Sequence, residues 1–156
     1  MSSLNIKRIN KEYESTISEK NSNILKVECD SSNITQWTAY IKGPDDTAYE
    51  NGVFKLNISF PGNFPFVAPK VKFATKMFHP NVSSSGEICL DILKDQWSPA
   101  LSVSKVLLSI CSLLSDPNAN DPLNGEVASI YKNNKSDFEK KVREYVEKYG
   151  EKKGFD

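Results

Sequence analysis

At 156 residues the chain is one domain's worth of sequence, with no room for a second core of ordinary size, and residues 1–156 are read as a single unit. Hydrophobic residues at 38% and charged residues at 26% exclude a disordered polymer, and no apolar run approaches the ~20 residues of a membrane span. Twenty basic side chains balance twenty acidic ones, which argues against nucleic acid as a partner.

Along the chain, Ile6, Ile9, Tyr13 and Ile17 recur at helical spacing, predicting a helix over residues 4–17 with those four on its inner face. The period then changes. Ile24 to Cys29 is β-prone, Asp30 to Asn33 is a turn, and Trp37, Ala39 and Ile41 alternate after it. A second turn at Gly43-Pro44-Asp45-Asp46 precedes Phe54, Leu56, Ile58 and Phe60, the cleanest alternation in the chain. A stretch rich in proline and aromatics, residues 61–69, leads to a short strand at Val71 and Phe73. Four short strands with no helix between them predict an antiparallel meander. Helical spacing returns after Ser102, a fitting N-cap, with Val103, Val106, Leu107, Ile110 and Leu114 on one face. That helix ends before Asp116-Pro117. A short helix is expected over residues 125–132. A last one opens on a capping box, Ser136-Asp-Phe-Glu139, with Phe138, Val142, Tyr145 and Tyr149 inward. The expected class is α+β.

Cys29, Cys89 and Cys111 form no CxxC pair, and His79 is the only histidine, so a structural zinc site is not expected. The N-terminal residues show no signal-peptide core, which places the expected location in a reducing compartment, cytoplasmic or nuclear.

From Ala74 to Leu101 the chain follows neither period. Structureless connections beyond about 12–15 residues are uncommon and usually functional or disordered. Disorder fits poorly with Met77, Phe78, Ile88, Leu90, Ile92, Leu93 and Trp97, so this is where chemistry is expected. Cys29 and Cys111 read as structural, from a strand and from a buried helix face. Cys89 reads equally as a nucleophile or a spacer. His79 fits a turn bonded to backbone better than a general base, and Asn81 fits either an oxyanion donor or turn chemistry.

His79-Pro80-Asn81, with Cys89 eight residues after the asparagine, resembles the active-site signature of ubiquitin-conjugating enzymes. So do the flanking motifs in order: Gly52-Val-Phe-Lys-Leu56, Phe60-Pro-Gly-Asn-Phe-Pro-Phe66, Ile88-Cys-Leu-Asp-Ile-Leu93, Trp97-Ser-Pro-Ala100, and Asp116-Pro-Asn118 through Asp121-Pro122. The resemblance runs from about residue 4 to residue 149. It is strongest to the small class that works with many RING-type ligases, through Lys105-Val-Leu-Leu-Ser-Ile-Cys-Ser-Leu-Leu114.

The resemblance implies that Cys89 takes ubiquitin from the activating enzyme as a thioester and passes it to a lysine amine of a protein substrate or of ubiquitin. No bound cofactor is implied, ATP being consumed upstream by the activating enzyme. Asn81 would steady the oxyanion or the active-site loop, Asp121 would orient the incoming amine, and His79, Pro80 and Asp91 would be structural. Lys7, Arg8, Lys11, Phe66, Trp97, Ser98, Pro99 and Ala100 would meet the ligase. Lys94 would take part in ligase activation, and Leu108 and Ser112 would contact donor ubiquitin. In the sequence no Lys/Arg pair or base stands beside Cys89, which suits a carrier better than a hydrolase.

Three departures from the family pattern bear on partners. Phe66-Val67-Ala68-Pro69 replaces Phe-x-Pro-Pro, Lys94 replaces an arginine, and residues 18–30 lack the subfamily's prolines. Two neighbouring readings are a conjugating enzyme for a ubiquitin-like modifier and a non-catalytic ubiquitin-binding form. The joint presence of Cys89, Asn81 and Asp121 argues against the second. A hydrolase built on Cys89 and His79 lacks a third orienting group.

Overall fold

A computed structural model describes residues 3–19 and 21–152. Four helices and four strands follow in the order α1 (Ser3–Ser18), β1 (Ile24–Asp30), β2 (Asn33–Lys42), β3 (Val53–Ser59), β4 (Lys70–Phe73), α2 (Val103–Ser115), α3 (Gly125–Asn133) and α4 (Lys135–Tyr149). The sheet is the expected antiparallel meander, β1-β2-β3-β4.

Its register follows from the alternation. Trp37 faces Cys29 on one side and Ile58 on the other, and Ile58 faces Val71. Ala39 likewise lies between Val27 and Leu56, which faces Phe73. Each row puts its apolar side chains on one side of the sheet, and a slip by one residue would turn both rows to solvent. Over that face lies α2, whose Val103, Val106, Leu107, Ile110 and Leu114 are all buried, as their spacing predicts. Ser102 caps it, its Oγ accepting from the Lys105 N–H at 3.1 Å.

Two expectations fail locally. Ile6 and Ile17 are 39% and 53% exposed, while Glu12 and Thr16 join Ile9 on the buried side of α1. These polar residues are admitted because their groups are used: Thr16 Oγ1 donates to the Glu12 carbonyl at 2.7 Å, and Glu12 Oε1 accepts from the Val103 N–H at 2.9 Å. The cap of α4 is Asn134, not Ser136. Asn134 Oδ1 accepts from the Asp137 N–H at 3.1 Å, and the Asn134 N–H closes α3 on the Ile130 carbonyl, so one residue joins the two helices.

The irregular segment is ordered by a tight return. Gly86 has φ +89°, and a Cβ there would lie 2.1 Å from the Phe73 carbonyl oxygen, so only glycine fits. The isolated bridge Lys72↔Glu87 then lays the returning limb beside β4, and Val82↔Ile88 pairs that limb with the outgoing one. Upstream, Tyr49 Oη donates to the Phe78 carbonyl at 2.6 Å and fixes the approach to His79.

Candidate active site

Three stretches converge on Cys89. The first, residues 79–81, is locked by His79, which is fully buried. Its Nδ1 accepts from the Asn81 N–H at 2.9 Å, which leaves Nε2 to donate to the Leu113 carbonyl at 2.8 Å. Burial lowers the imidazole pKa from 6.5 to about 4, against a small opposing pull from the Leu113 carbonyl. A neutral ring with both nitrogens engaged by backbone has no lone pair to offer a thiol.

The second stretch, residues 118–124, is held by the first. Asn81 is 1% exposed, and its Nδ2 donates to the carbonyls of Asn118 at 2.8 Å and Asp121 at 3.1 Å. Its Oδ1 accepts from the Asn118 N–H at 2.8 Å. The Pro80 carbonyl accepts from the N–H groups of Leu123 and Asn124 at 2.9 and 3.0 Å. Both amide hydrogens of Asn81 are spent on the loop, so this side chain is a clasp that sets where Asp121 stands.

The third stretch carries the thiol. The Cys89 N–H donates to the Asn81 carbonyl at 2.9 Å, tying the sulfur's backbone to the clasp. Cys89 is half-buried, with Sγ 4.0 Å from Asp121 Oδ2. A single 3₁₀ turn follows at Asp91–Leu93, where the Asp91 carbonyl accepts from the N–H groups of Lys94 and Gln96 at 2.9 and 3.0 Å. This turn brings Lys94 Nζ to 3.7 Å from Cys89 Sγ. The expectation of no cation beside the thiol is therefore corrected: sequence neighbours do not reveal a residue that a 3₁₀ turn folds back.

The other thiols differ. Cys111 is 4% exposed on the inner face of α2, and burial pushes its pKa up to about 11. Cys29 sits in β1 with its thiol directed at the carbonyls of Asp30 and Ile34, and burial raises its pKa too. No group of three or more His, Cys, Asp or Glu among the described residues is arranged to hold a metal.

Residues 8–146 match the family model described as ubiquitin-conjugating enzyme. The chain belongs to the ubiquitin-conjugating enzyme family. It is similar to the solved structure of a Toxoplasma gondii ubiquitin-conjugating enzyme E2 domain, at 38% identity and a TM-score of 0.87, covering 94% of this chain and 99% of that one. A Plasmodium yoelii protein assigned as a ubiquitin-conjugating enzyme is 42% identical with a TM-score of 0.90, covering 97% of this chain and 99% of that one. The members are transferases that act through a cysteine, and the expected fold and family hold.

On this conjugating enzyme the residues expected to meet a ligase lie in two neighbouring groups. Arg8 joins them, its guanidinium donating to the carbonyl of Pro99 at 2.7 Å and lying 5.6 Å from the centre of the Phe64 ring. Arg8 is thus turned inward, whereas Lys7 and Lys11 are exposed. Phe66 is 77% exposed. Trp97 is half-buried, donating from Nε1 to the Pro65 carbonyl at 2.9 Å, and Ser98 Oγ accepts from the Ala100 N–H at 3.2 Å. Between residues 61–72 and 87–97 opens a cavity of about 740 Å³ that reaches Lys94. Leu108 and Ser112 lie elsewhere, on the outer side of α2. No helix among the described residues is long and apolar enough to cross a membrane.

Proposed function

We propose that this enzyme carries ubiquitin as a thioester on Cys89 and delivers it to a lysine amine under the direction of a RING-type ligase. One observation supports the reading above the others. Of the three cysteines, Cys89 is half-buried on a loop edge with a carboxylate 4.0 Å from its sulfur, on a backbone braced by Asn81.

Charging exchanges one thioester for another. The Cys89 sulfur attacks the ubiquitin carbonyl held on the activating enzyme, that enzyme's sulfur leaves, and the proton passes to the departing thiolate. Near-equal thiols need no bound cofactor for this, and ATP is consumed by the activating enzyme beforehand. Aminolysis makes the harder demand. A free lysine of pKa ~10.4 is neutral about one time in 2,500 at pH 7, equivalent to roughly 4.6 kcal/mol. A carboxylate beside an ammonium favours the charged form, so Asp121 does not create the free amine. It orients the neutral amine and takes its proton once attack on the carbonyl has made the nitrogen acidic. The carbon–sulfur bond then breaks, leaving an isopeptide and the Cys89 thiolate. Asn81 contributes by holding Asp121, because its donors are already committed. The whole chain acts as one catalytic core, in the cytoplasm or nucleus, with ligase contacts on Lys7, Lys11, Phe66 and residues 97–100.

The test is a charging reaction of chain, ubiquitin, activating enzyme and ATP on a non-reducing gel. The wild type is expected to give a thiol-sensitive adduct that Cys89→Ala abolishes. No such adduct on the wild type would defeat the reading. An adduct that survives Cys89→Ala would move the nucleophile elsewhere.

A further inference from the structure

Cys89 stands apart from the other two thiols in what surrounds it. Lys94 Nζ lies 3.7 Å from its Sγ, nearer than the Asp121 carboxylate at 4.0 Å. The turn that places the amine there is closed at both ends, the Lys94 N–H donating to the Asp91 carbonyl at 2.9 Å and the Lys94 carbonyl accepting from the Trp97 N–H at 3.2 Å. No carboxylate among the described residues lies within ion-pair distance of Lys94 to draw it away. No second thiol competes for the sulfur: Cys111 is buried on the inner face of α2, and the Cys29 thiol is directed at the carbonyls of Asp30 and Ile34. A half-buried sulfur open to small solutes thus has an amine, and not a thiol, as the nucleophile beside it. That pairing matters once the sulfur is oxidised, because a sulfenic acid is captured by whichever nucleophile reaches it first.

We infer that Cys89 and Lys94 form a redox couple, joined by a sulfur–nitrogen bond when hydrogen peroxide oxidises the uncharged enzyme. In the first step the Cys89 sulfur attacks one oxygen of the peroxide and the O–O bond breaks. The sulfur is oxidised, the peroxide is reduced to water, and the thiol becomes a sulfenic acid. In the second step the neutral Lys94 amine attacks that sulfur. The sulfur–nitrogen bond forms, the sulfur–oxygen bond breaks, and the departing hydroxide leaves as water with the amine's proton. The product is a sulfenamide spanning residues 89–94, and no further oxidant is consumed. The contact already in place makes this step intramolecular, and the lysine's flexible stem closes the remaining distance. Left uncaptured, the same sulfenic acid goes on to sulfinic and sulfonic acids, which thiols do not reverse. The sulfenamide is reversible. One small thiol attacks its sulfur and frees the amine, and a second releases Cys89 and departs as part of a disulfide. While the bond lasts the sulfur cannot take up an acyl group, so the couple is an off state that reducing conditions cancel. Arginine at this position, being always protonated, offers no such nucleophile.

The experiment treats the full, uncharged chain with a small excess of hydrogen peroxide, alkylates the remaining thiols and digests with trypsin in the absence of reductant. In the reduced chain, residues 77–94 and 95–105 are separate tryptic peptides. The expected product is an uncut 77–105 peptide about 2 Da lighter than the reduced sequence, once any oxygen gained at Met77 is allowed for. Fragmentation places its link between Cys89 and Lys94, and dithiothreitol restores the two separate peptides. In Lys94→Arg the same digest is expected to show Cys89 as sulfinic and sulfonic acid, and the share of Cys89 that dithiothreitol recovers falls at least about fivefold. Lys72→Arg, across the cavity that Lys94 borders, keeps the wild-type recovery. A disulfide-linked dimer, a link from Cys89 to another lysine, or equal recovery in wild type and Lys94→Arg would overturn the inference. So would a wild-type Cys89 that passes straight to sulfinic acid. Each of these outcomes leaves the thioester mechanism intact, because the charging gel reads that separately on the reduced enzyme.

Discussion

His79 and Asn81 do their work by using up every polar atom they have. The imidazole bridges the Asn81 N–H and the Leu113 carbonyl, and the amide bridges Asn118 and Asp121, so two side chains bind residues 79–81 to two remote pieces of chain, α2 and the 118–124 loop. Protonating His79 would put a hydrogen on Nδ1 against the Asn81 N–H, which is why burial and geometry agree on a pKa near 4. The consequence for stability has a definite sign. The unfolded chain takes up the proton near pH 6.5, and the native state does not until about pH 4. Stability from this group is thus complete above pH 6.5 and is lost as pH falls between those two values. At about 1.36 kcal/mol per pH unit of separation, roughly 2 kcal/mol disappears between pH 7.5 and pH 5. Because His79 is the only histidine, no other imidazole contributes. The expected outcome is that urea unfolding of the wild type and of His79→Gln differs by ~2 kcal/mol less at pH 5 than at pH 7.5. A difference that stays constant with pH would mean that the native imidazole titrates normally.

At the scale of elements, the joint between α1 and the start of α2 is made by charge as well as by the apolar core that Ile9 and Val103 share. Glu12 Oε1 accepts the Val103 N–H at the first residue of α2, where a carboxylate also meets the positive end of the helix dipole. Glu12 Oε2 meanwhile holds Arg8 Nε at 3.3 Å, and Arg8 carries the connection on to Pro99. Ser102 supplies the second cap, so two of the free N–H donors at the helix start, those of Val103 and Lys105, are taken by different residues. Removing the carboxylate leaves the buried N–H unpaired and frees the guanidinium. Glu12→Ala is expected to lower unfolding free energy by about 2 kcal/mol, and Glu12→Gln, which keeps an acceptor, by about half as much. Equal stability of Glu12→Ala and wild type in urea would show the bond to be worth nothing. This joint also marks where sequence reading stops. Strand alternation and the α2 stripe were legible because an apolar side chain has one place to go, and its period reports which face that is. In α1 the same rule chose Ile6 and Ile17, since nothing local reveals that Glu12 and Thr16 have buried partners. At the site the motif named Cys89, Asn81 and Asp121, while the clasp depends on carbonyls 37 and 40 residues from Asn81. Lys94 was legible as a substitution but not as a neighbour of the sulfur, because the 3₁₀ turn that returns it has no periodic signature.

Across the whole molecule, the Cys89 sulfur and the expected ligase contacts at Trp97, Ser98, Pro99 and Ala100 share the segment from Gly86 to Leu101, with Arg8 tying its far end to α1. Phe66 projects beside this segment at 77% exposure, the most exposed large apolar side chain among the described residues. The cavity behind it is walled by Pro69, Leu93 and Trp97 and continues to Lys94. An aromatic left in water on a rigid rim costs little to remove from the free protein, so Phe66→Ala should change stability by no more than about 0.5 kcal/mol. In an interface the same side chain counts for much more, since a buried aromatic anchor contributes at least about 2 kcal/mol, or roughly thirtyfold in affinity. Trp97 does not allow this separation. Its indole N–H is bonded to the Pro65 carbonyl and its ring stands 6.0 Å from Phe64, so truncation would disturb the fold and the surface together. Titrating a RING-type ligase into the lysine-discharge reaction therefore gives the decisive reading. For Phe66→Ala the ligase concentration at half-maximal stimulation should rise about thirtyfold, with a thermal midpoint within about 2 °C of the wild type. A half-maximal concentration unchanged by the substitution would remove Phe66 from the ligase surface. The search for that surface would then move to the exposed Lys7 and Lys11 on α1.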